Sequence, residues 1–173
     1  EVIRQATRVL ENDDWRGCEQ ATRVLVSLNH RDCGDRLVAL LRHPRGETMI
    51  AAGWGLRRLE LKEHLLEMLN RSNEIYLGFR NGRYNIKQNG PVNLQAQLFL
   101  AFGELRFNQA DALMRRYIPK DSMPGERDRA AACWSLGWLL EDAPDPQLVP
   151  MMLNSDVPTS VPRCVGILIV VAM

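Results

Sequence analysis

The chain has 173 residues, and its 22 basic and 21 acidic side chains leave a net charge of +1. A nucleic-acid-binding protein usually carries a clear basic excess, so this balance makes nucleic acid a distant alternative among partners. The longest apolar run, over 164–173, is shorter than the roughly 20 residues that cross a bilayer. No membrane span is therefore predicted.

Apolar residues recur with a helical period along most of the chain, and no alternating pattern is strong enough to build a sheet. In the first half the pattern predicts helices over 1–12, 16–29, 37–43, 47–60 and 62–70. In the second half it predicts helices around 96–103, around 112–118, from Ser122, over 148–153 and from Ser160. This organisation amounts to about ten helices in five pairs, each an outer helix followed by an inner one.

A short sequence pattern recurs in the predicted inner helices, and we call it the repeated phrase. It consists of a small residue followed by apolar residues four and seven positions later. Ala52, Leu56 and Leu59 define it. It returns at Ala21/Leu25/Leu28, Ala96/Leu100/Gly103, Ala132/Leu136/Leu139 and Cys164/Leu168/Val171. The small residues are 31 to 44 positions apart, a spacing typical of two-helix repeats with variable insertions.

The segment 71–91 interrupts this rhythm and predicts a long loop inserted in the third pair. It is rich in Gly and Asn and has a net charge of +3. Asn81-Gly82 between short apolar runs is a hairpin turn signal. The segment is either a simple insertion folded over its neighbours or a binding loop. Its candidate binding residues are Tyr76, Phe79, Arg80, Arg83 and Tyr84.

The four cysteines, Cys18, Cys33, Cys133 and Cys164, form no Cys-x-x-Cys pair and show no metal-ligand spacing. Two of them occupy the small-residue positions of predicted helices. We therefore expect buried, reduced thiols and no metal site. Reduced thiols favour a reducing compartment such as the cytoplasm.

Two phrases resemble the HEAT-like repeat family, in the short form of about thirty residues that is named for phycobilisome lyases. They are Glu47-Thr-Met-Ile-Ala-Ala-Gly-Trp-Gly-Leu-Arg-Arg-Leu59 and Arg127-Asp-Arg-Ala-Ala-Ala-Cys-Trp-Ser-Leu-Gly-Trp-Leu139. The resemblance implies an all-α fold, an α-α superhelix of about five helix pairs that forms one array over 1–173. Because no polar cap closes the apolar C-terminal helix, we expect either a fragment of a longer array or self-association through that helix.

The family includes scaffolds, chromophore lyases and a di-iron hydroxylase that binds metal through His-Glu pairs. Here none of His30, His43 and His64 is followed by Glu. The chain also lacks the Walker A, His-Glu-x-x-His and Gly-x-Ser-x-Gly motifs. Gly53 and Gly55 lie within a predicted helix, where close packing explains them better than a phosphate loop. The sequence therefore predicts no cofactor and favours a protein without catalytic activity.

The tryptophans of the repeated phrase fall outside its buried stripe. With about 100° per residue, Trp54 lies about 200° from Ala52 and Arg58 about 240°. Across three repeats the residues expected to face outward are Trp54, Arg58, Leu98, Phe102, Trp134 and Trp138. In a helical array the inner helices line the concave surface, where such a stripe would form a partner site. We expect Trp54 and Trp134 to keep solvent exposure.

These features favour a non-catalytic scaffold that binds a protein or peptide through its concave face. A lyase-like or other enzyme acting on a bulky substrate is the alternative. Nucleic-acid binding is more distant, because its only support is a set of arginines that solvated helix faces also explain. These are Arg57, Arg58, Arg80, Arg83, Arg115 and Arg116.

Overall fold

The computed structural model describes residues 1–12, 14–85, 88–119, 125–142, 145–148 and 150. Within these ranges the chain is helical and has no strand, so the predicted all-α class is confirmed. The α-helices are α1 (Val2–Glu11), α2 (Trp15–Ser27), α3 (Gly34–Leu40), α4 (Gly46–Arg58), α5 (Leu65–Arg80), α6 (Asn89–Glu104), α7 (Asp111–Arg115) and α8 (Glu126–Leu139). Three short 3-10 helices, Arg31–Cys33, Lys62–His64 and Asn108–Ala110, precede α3, α5 and α7.

The even-numbered helices pack in series. Helix α2 lies against α4, α4 against α6, and α6 against α8. Each odd-numbered helix packs on the even-numbered helix that follows it in the chain. One continuous hydrophobic core runs through this arrangement, from Leu10 in α1 to Leu136 in α8.

The turns after α2, α4 and α6 are built alike. Each helix is followed by a residue with positive φ, namely Asn29 (51°), Glu60 (52°) and Arg106 (57°). The next amide then donates back into the helix, as from His30 N to Leu25 O at 2.9 Å. Equivalent bonds join Leu61 to Leu56 and Phe107 to Phe102. This left-handed termination satisfies the last carbonyls and turns the chain into the following 3-10 helix.

The three turns define the register between neighbouring even-numbered helices. Their positive-φ residues lie 31 and 46 positions apart, at 29, 60 and 106. The sequence placed the repeated phrase of α6 at Ala96, a step of 44 positions from Ala52, whereas the observed step is 46. The predicted phrase is therefore two residues out of register. In the observed register the position of Ala52 is taken in α6 by Leu98, and that of Leu56 by Phe102.

Glycines allow the even-numbered helices to approach closely. An added Cβ on Gly53 would lie 2.7 Å from Leu94 Cδ1, and one on Gly103 would lie 2.6 Å from the Cα of Ser135 in α8. Gly55 is similarly closed off by Thr22 of α2. Helix packing is thus the role of Gly53 and Gly55, as the sequence predicted.

The predicted loop over 71–91 is wrong for most of its length. Helix α5 continues to Arg80 and α6 begins at Asn89. Asn81-Gly82 does not form a hairpin; instead it ends α5, with Asn81 N donating to Leu77 O and Gly82 at φ 70°. The prediction failed because Asn and Gly serve helix ends as well as hairpins.

Other expectations are confirmed or lie outside the described ranges. Cys18, Cys33 and Cys133 are buried, as expected, and form no disulfide with another described residue. No helix within the described residues is long and apolar enough to cross a membrane. The predicted helix start at Ser122, the helix from Ser160, Cys164, and residues 149 and 151–153 of the helix predicted over 148–153 lie outside the described residues.

Candidate binding face

An open groove of about 600 Å³ is lined by residues of α2, α4 and α6. Its lining residues are Glu19, Arg23, Glu47, Ile50, Ala51, Trp54 and Gln97. Four of them come from α4, where they recur at spacings of three and four and so share one side of the helix. The groove is therefore the open side of the even-numbered helices, which we call the even-helix face.

Trp54 is partly exposed and forms part of the groove wall. Ala52 and Leu56, on the opposite side of α4, are fully buried. The helical phase derived from the sequence thus separates the core stripe of α4 from its open side. Arg58, one turn beyond Trp54, is exposed as predicted.

In α6 the predicted outward residues are wrong. Leu98 and Phe102 are fully buried, and Phe102 packs against Phe99 and Phe107 with ring centroids 6.5 and 5.7 Å apart. The cause is the two-residue error in register, which exchanged the core stripe of α6 with its open side. In the observed register Leu100, partly exposed, takes the position of Trp54.

Trp134 and Trp138 of α8 are both partly exposed, as expected for Trp134. Their rings meet edge to face, with centroids 5.7 Å apart. Two turns before Trp134, near the start of α8, Arg127 donates to the Asn93 side chain of α6. Asn93, Gln97 and Leu100 lie within about 60° of one another on α6. The open sides of α6 and α8 therefore adjoin.

Several charges along this face are paired. Arg23 bonds Glu19 at 2.7 Å, and Arg57 of α4 reaches Glu104 of α6 at 3.4 Å. Glu47 in the first turn of α4 and Arg58 in its last turn are exposed and form no ion pair within the described part of the chain. The groove region thus has an unpaired acid at one end of α4 and an unpaired base at the other.

The five residues predicted for a binding loop do not share one loop. Tyr76, Phe79 and Arg80 belong to α5, whereas Arg83 and Tyr84 follow it. Tyr76 packs on Tyr117 with centroids 5.9 Å apart, and Arg116 lies 5.4 Å above its ring. The Phe79 and Tyr84 rings meet edge to face at 5.7 Å. The aromatic residues are thus packing contacts, and only the two arginines are exposed.

Arginines named for the nucleic-acid alternative are largely engaged within the protein. Besides Arg57, Arg115 bonds Asp111 at 2.8 Å and Asp145 at 2.6 Å, and Arg116 covers Tyr76. Arg58, Arg80 and Arg83 are exposed but lie on different elements. The six arginines therefore do not lie together on one element.

A second cavity, of about 350 Å³, lies at the starts of α4 and α6. Arg42, His43, Arg71 and Tyr84 are among the side chains that line it. Arg42 and Arg71 were not predicted as site residues, because neither belongs to a motif or to a recognisable spacing in the sequence.

The described residues contain no group of three or more His, Cys, Asp or Glu side chains arranged to hold a metal ion. Comparisons with protein-family models, with curated proteins and with solved structures give no match for this chain.

Proposed function

We propose that the chain is a HEAT-like helical-repeat scaffold whose even-helix face binds a peptide segment of a partner protein. The serial packing of even-numbered helices and the three like-built turns support the repeat architecture. The observation that carries the binding proposal is the groove across α2, α4 and α6 with a partly exposed tryptophan in its wall.

The middle of the groove offers an apolar contact. Trp54, Ile50 and Ala51 lie together there, each partly exposed. Tryptophan is the residue type most enriched at binding hot spots, since it buries a large area with few rotatable bonds. Gln97 borders this patch, and its side-chain oxygen is buried without a hydrogen-bond partner among the described residues. A rotation of the side chain that exposes this oxygen would let a bound peptide amide donate to it.

The charges at the two ends of α4 specify the partner further. Glu47 and Arg58 are eleven positions apart, which is about 16 Å along the helix. An extended peptide spans that distance with about five residues. The complementary segment has an apolar or aromatic residue at its centre, a basic residue on the Glu47 side and an acidic residue on the Arg58 side.

The proposal is tested by selecting ligands from a displayed library of random 12-residue peptides on the immobilised chain. We expect enriched peptides to share the basic–apolar–acidic pattern. Trp54→Ala should weaken their binding at least tenfold, because it removes the apolar wall of the groove. Leu77→Ala is the matched control, since Leu77 is 54% exposed on α5, outside this face.

A second variant separates binding from folding. Arg58→Glu leaves the core untouched, because Arg58 is exposed, and reverses the charge at one end of the face. It should select peptides with a basic residue where the unmodified chain selects an acidic one. Enriched peptides without a shared pattern, or equal losses with Trp54→Ala and Leu77→Ala, would contradict the proposal.

A further inference from the structure

The second cavity concentrates hydrogen-bond donors and has no acidic residue among its described lining. Its lining includes Arg42, His43, Arg71 and Tyr84, together with Gly46 and Gly90 at the starts of α4 and α6. The guanidinium groups of Arg42 and Arg71 lie within this set. Cavities of this composition have the chemistry that anions require.

Arg71 is the fixed element of the cavity. The residue is only 6% exposed, and its Nε donates to the Leu41 carbonyl oxygen at 2.9 Å. Its Nη1 bonds Glu74 at 3.1 Å. Its Nη2 has no hydrogen-bond partner among the described residues, although the side chain is nine-tenths buried. This leaves Nη2 as the donor of Arg71 that a ligand in the cavity could use.

Glu74 is the one carboxylate that the two arginines share. Arg42 bonds both of its oxygens, at 2.6 and 3.2 Å, beside the bond from Arg71. Partial burial acts to raise the pKa of Glu74, but these bonds leave it lowered. One carboxylate therefore faces two guanidinium groups, and one positive charge remains unbalanced at the cavity.

Two helix starts add to this positive potential. A Cβ on Gly46 at the start of α4 would lie 3.0 Å from the Cα of Gly90 at the start of α6, so the two starts touch. Neither has a side-chain cap, and the Gly46 and Gly90 amides have no acceptor among the described residues. Each start carries roughly half a positive charge. Glu47, the acidic residue in the first turn of α4, lines the groove of the even-helix face and not this cavity.

His43 and Tyr84 complete the donor set. His43 Nδ1 accepts from the backbone of Arg45 at 3.1 Å, which leaves its Nε2 as the donor of a neutral ring. The Tyr84 ring occupies the space that a Cβ on Gly78 would need, so the chain after α5 folds back over the helix. This placement brings the Tyr84 side chain to the cavity wall.

We propose that this cavity binds the phosphate group of a small ligand, held by Arg42, Arg71 and the amides of Gly46 and Gly90. A phosphate presents several acceptor oxygens and so uses donors that converge from separate elements, whereas a carboxylate presents only two. The cavity is several times larger than a phosphate group, so it accommodates a phosphomonoester as well as the free ion. The site is independent of the even-helix face.

The test follows the amide resonances of Gly46 and Gly90 in the 15N-labelled chain during titration with inorganic phosphate and, separately, with glycerol 3-phosphate. We expect saturable shifts of both resonances, and tighter binding of one probe identifies the free ion or the phosphomonoester as the source. Sodium chloride at matched ionic strength should give no saturable shift, and acetate should bind more weakly than phosphate.

Arg42→Gln should weaken binding roughly tenfold, because it removes a charged hydrogen bond. Arg42 is exposed, so this variant is expected to fold. Arg8→Gln removes the same charge from an exposed position on α1 and should leave binding unchanged. Shifts that chloride or acetate reproduce, or equal affinity in Arg42→Gln and the unmodified chain, would overturn the proposal.

Discussion

The contact of Gly103 with Ser135 provides a stringent test of the packing between α6 and α8. In Gly103→Ala the new Cβ would lie 2.6 Å from the Cα of Ser135, 2.7 Å from its Cβ and 2.9 Å from its Oγ. Because one of these atoms is backbone, rotating a side chain does not relieve the overlap. Helices α6 and α8 must separate instead.

The expected loss is the difference between two opposing effects. Replacing a helical glycine with alanine stabilises the helix by about 1 kcal/mol. Restoring an ordinary contact requires a separation of about 1 Å, and a gap of that size forfeits a quarter to a half of the dispersion energy across it. Overpacking in cores costs about 1–3 kcal/mol or more. We therefore expect a net destabilisation of up to about 2 kcal/mol, which is about 1–3 kcal/mol below a glycine-to-alanine change without the overlap.

Urea unfolding followed by circular dichroism at 222 nm measures this change. Gly17→Ala is the matched control, because its added Cβ meets only one methyl group of Val9 at 2.8 Å, and Val9 is 39% exposed. That methyl can move aside, so the control should be neutral or slightly stabilising. If Gly103→Ala were as stable as Gly17→Ala, the close contact between α6 and α8 would be refuted.

Two further predictions concern buried polar groups of α8. Ser135→Ala should stabilise the chain by up to about 1 kcal/mol in the same urea assay, because the buried Ser135 hydroxyl has no hydrogen-bond partner in the described part of the chain. A clear loss of stability would show that the hydroxyl is bonded. Burial raises the pKa of Asp128 to about 6 from an ordinary 3.8. Between about pH 4 and pH 6 the unfolded chain releases the Asp128 proton, whereas the folded chain retains it. The free energy of unfolding should therefore fall by up to about 3 kcal/mol as pH rises through this range, and then level off. Asp128→Asn should remove this decline, and parallel pH profiles for the two proteins would contradict the assignment to Asp128.

The helices and the core stripe of α4 were predictable because both follow from periodicity. Ala52 and Leu56 are buried and Trp54 is partly exposed, as the helical phase requires. The register of α6 was not predictable in the same way. Leu98 and Phe102 were predicted to face outward because α6 is apolar on several sides, so its periodicity does not identify the buried side. Ala96 also matched the small-residue position of the repeated phrase, although it is not the equivalent of Ala52.

The connection between α5 and α6 shows a second kind of limit. Asn81-Gly82 has the residues of a hairpin turn and equally those of a helix end. Whether Asn81-Gly82 forms a hairpin or ends a helix depends on the residues before it, and there Ile75 and Gly78 continue the buried side of α5. Gly78 is buried because Tyr84 packs on it, and that contact is not visible as a local pattern.

The second cavity depends on contacts between distant segments. Arg42 and Arg71 are 29 positions apart, and only the fold brings both to Glu74. Gly46 and Gly90 likewise meet only because α4 and α6 pack side by side. Such a site has no sequence spacing of its own, so composition and motifs could not indicate it.

The central claim, that the even-helix face is the binding surface, is tested most directly by 19F NMR of the chain labelled with 5-fluorotryptophan. The chain has four tryptophans, which single Trp→Phe variants assign. Trp15 lies outside the groove lining, with Arg16 and Arg45 over its ring. On addition of a selected peptide, the account predicts that the Trp54 resonance shifts and saturates while that of Trp15 stays in place. A saturable shift of Trp15 with an unchanged Trp54 resonance would contradict it.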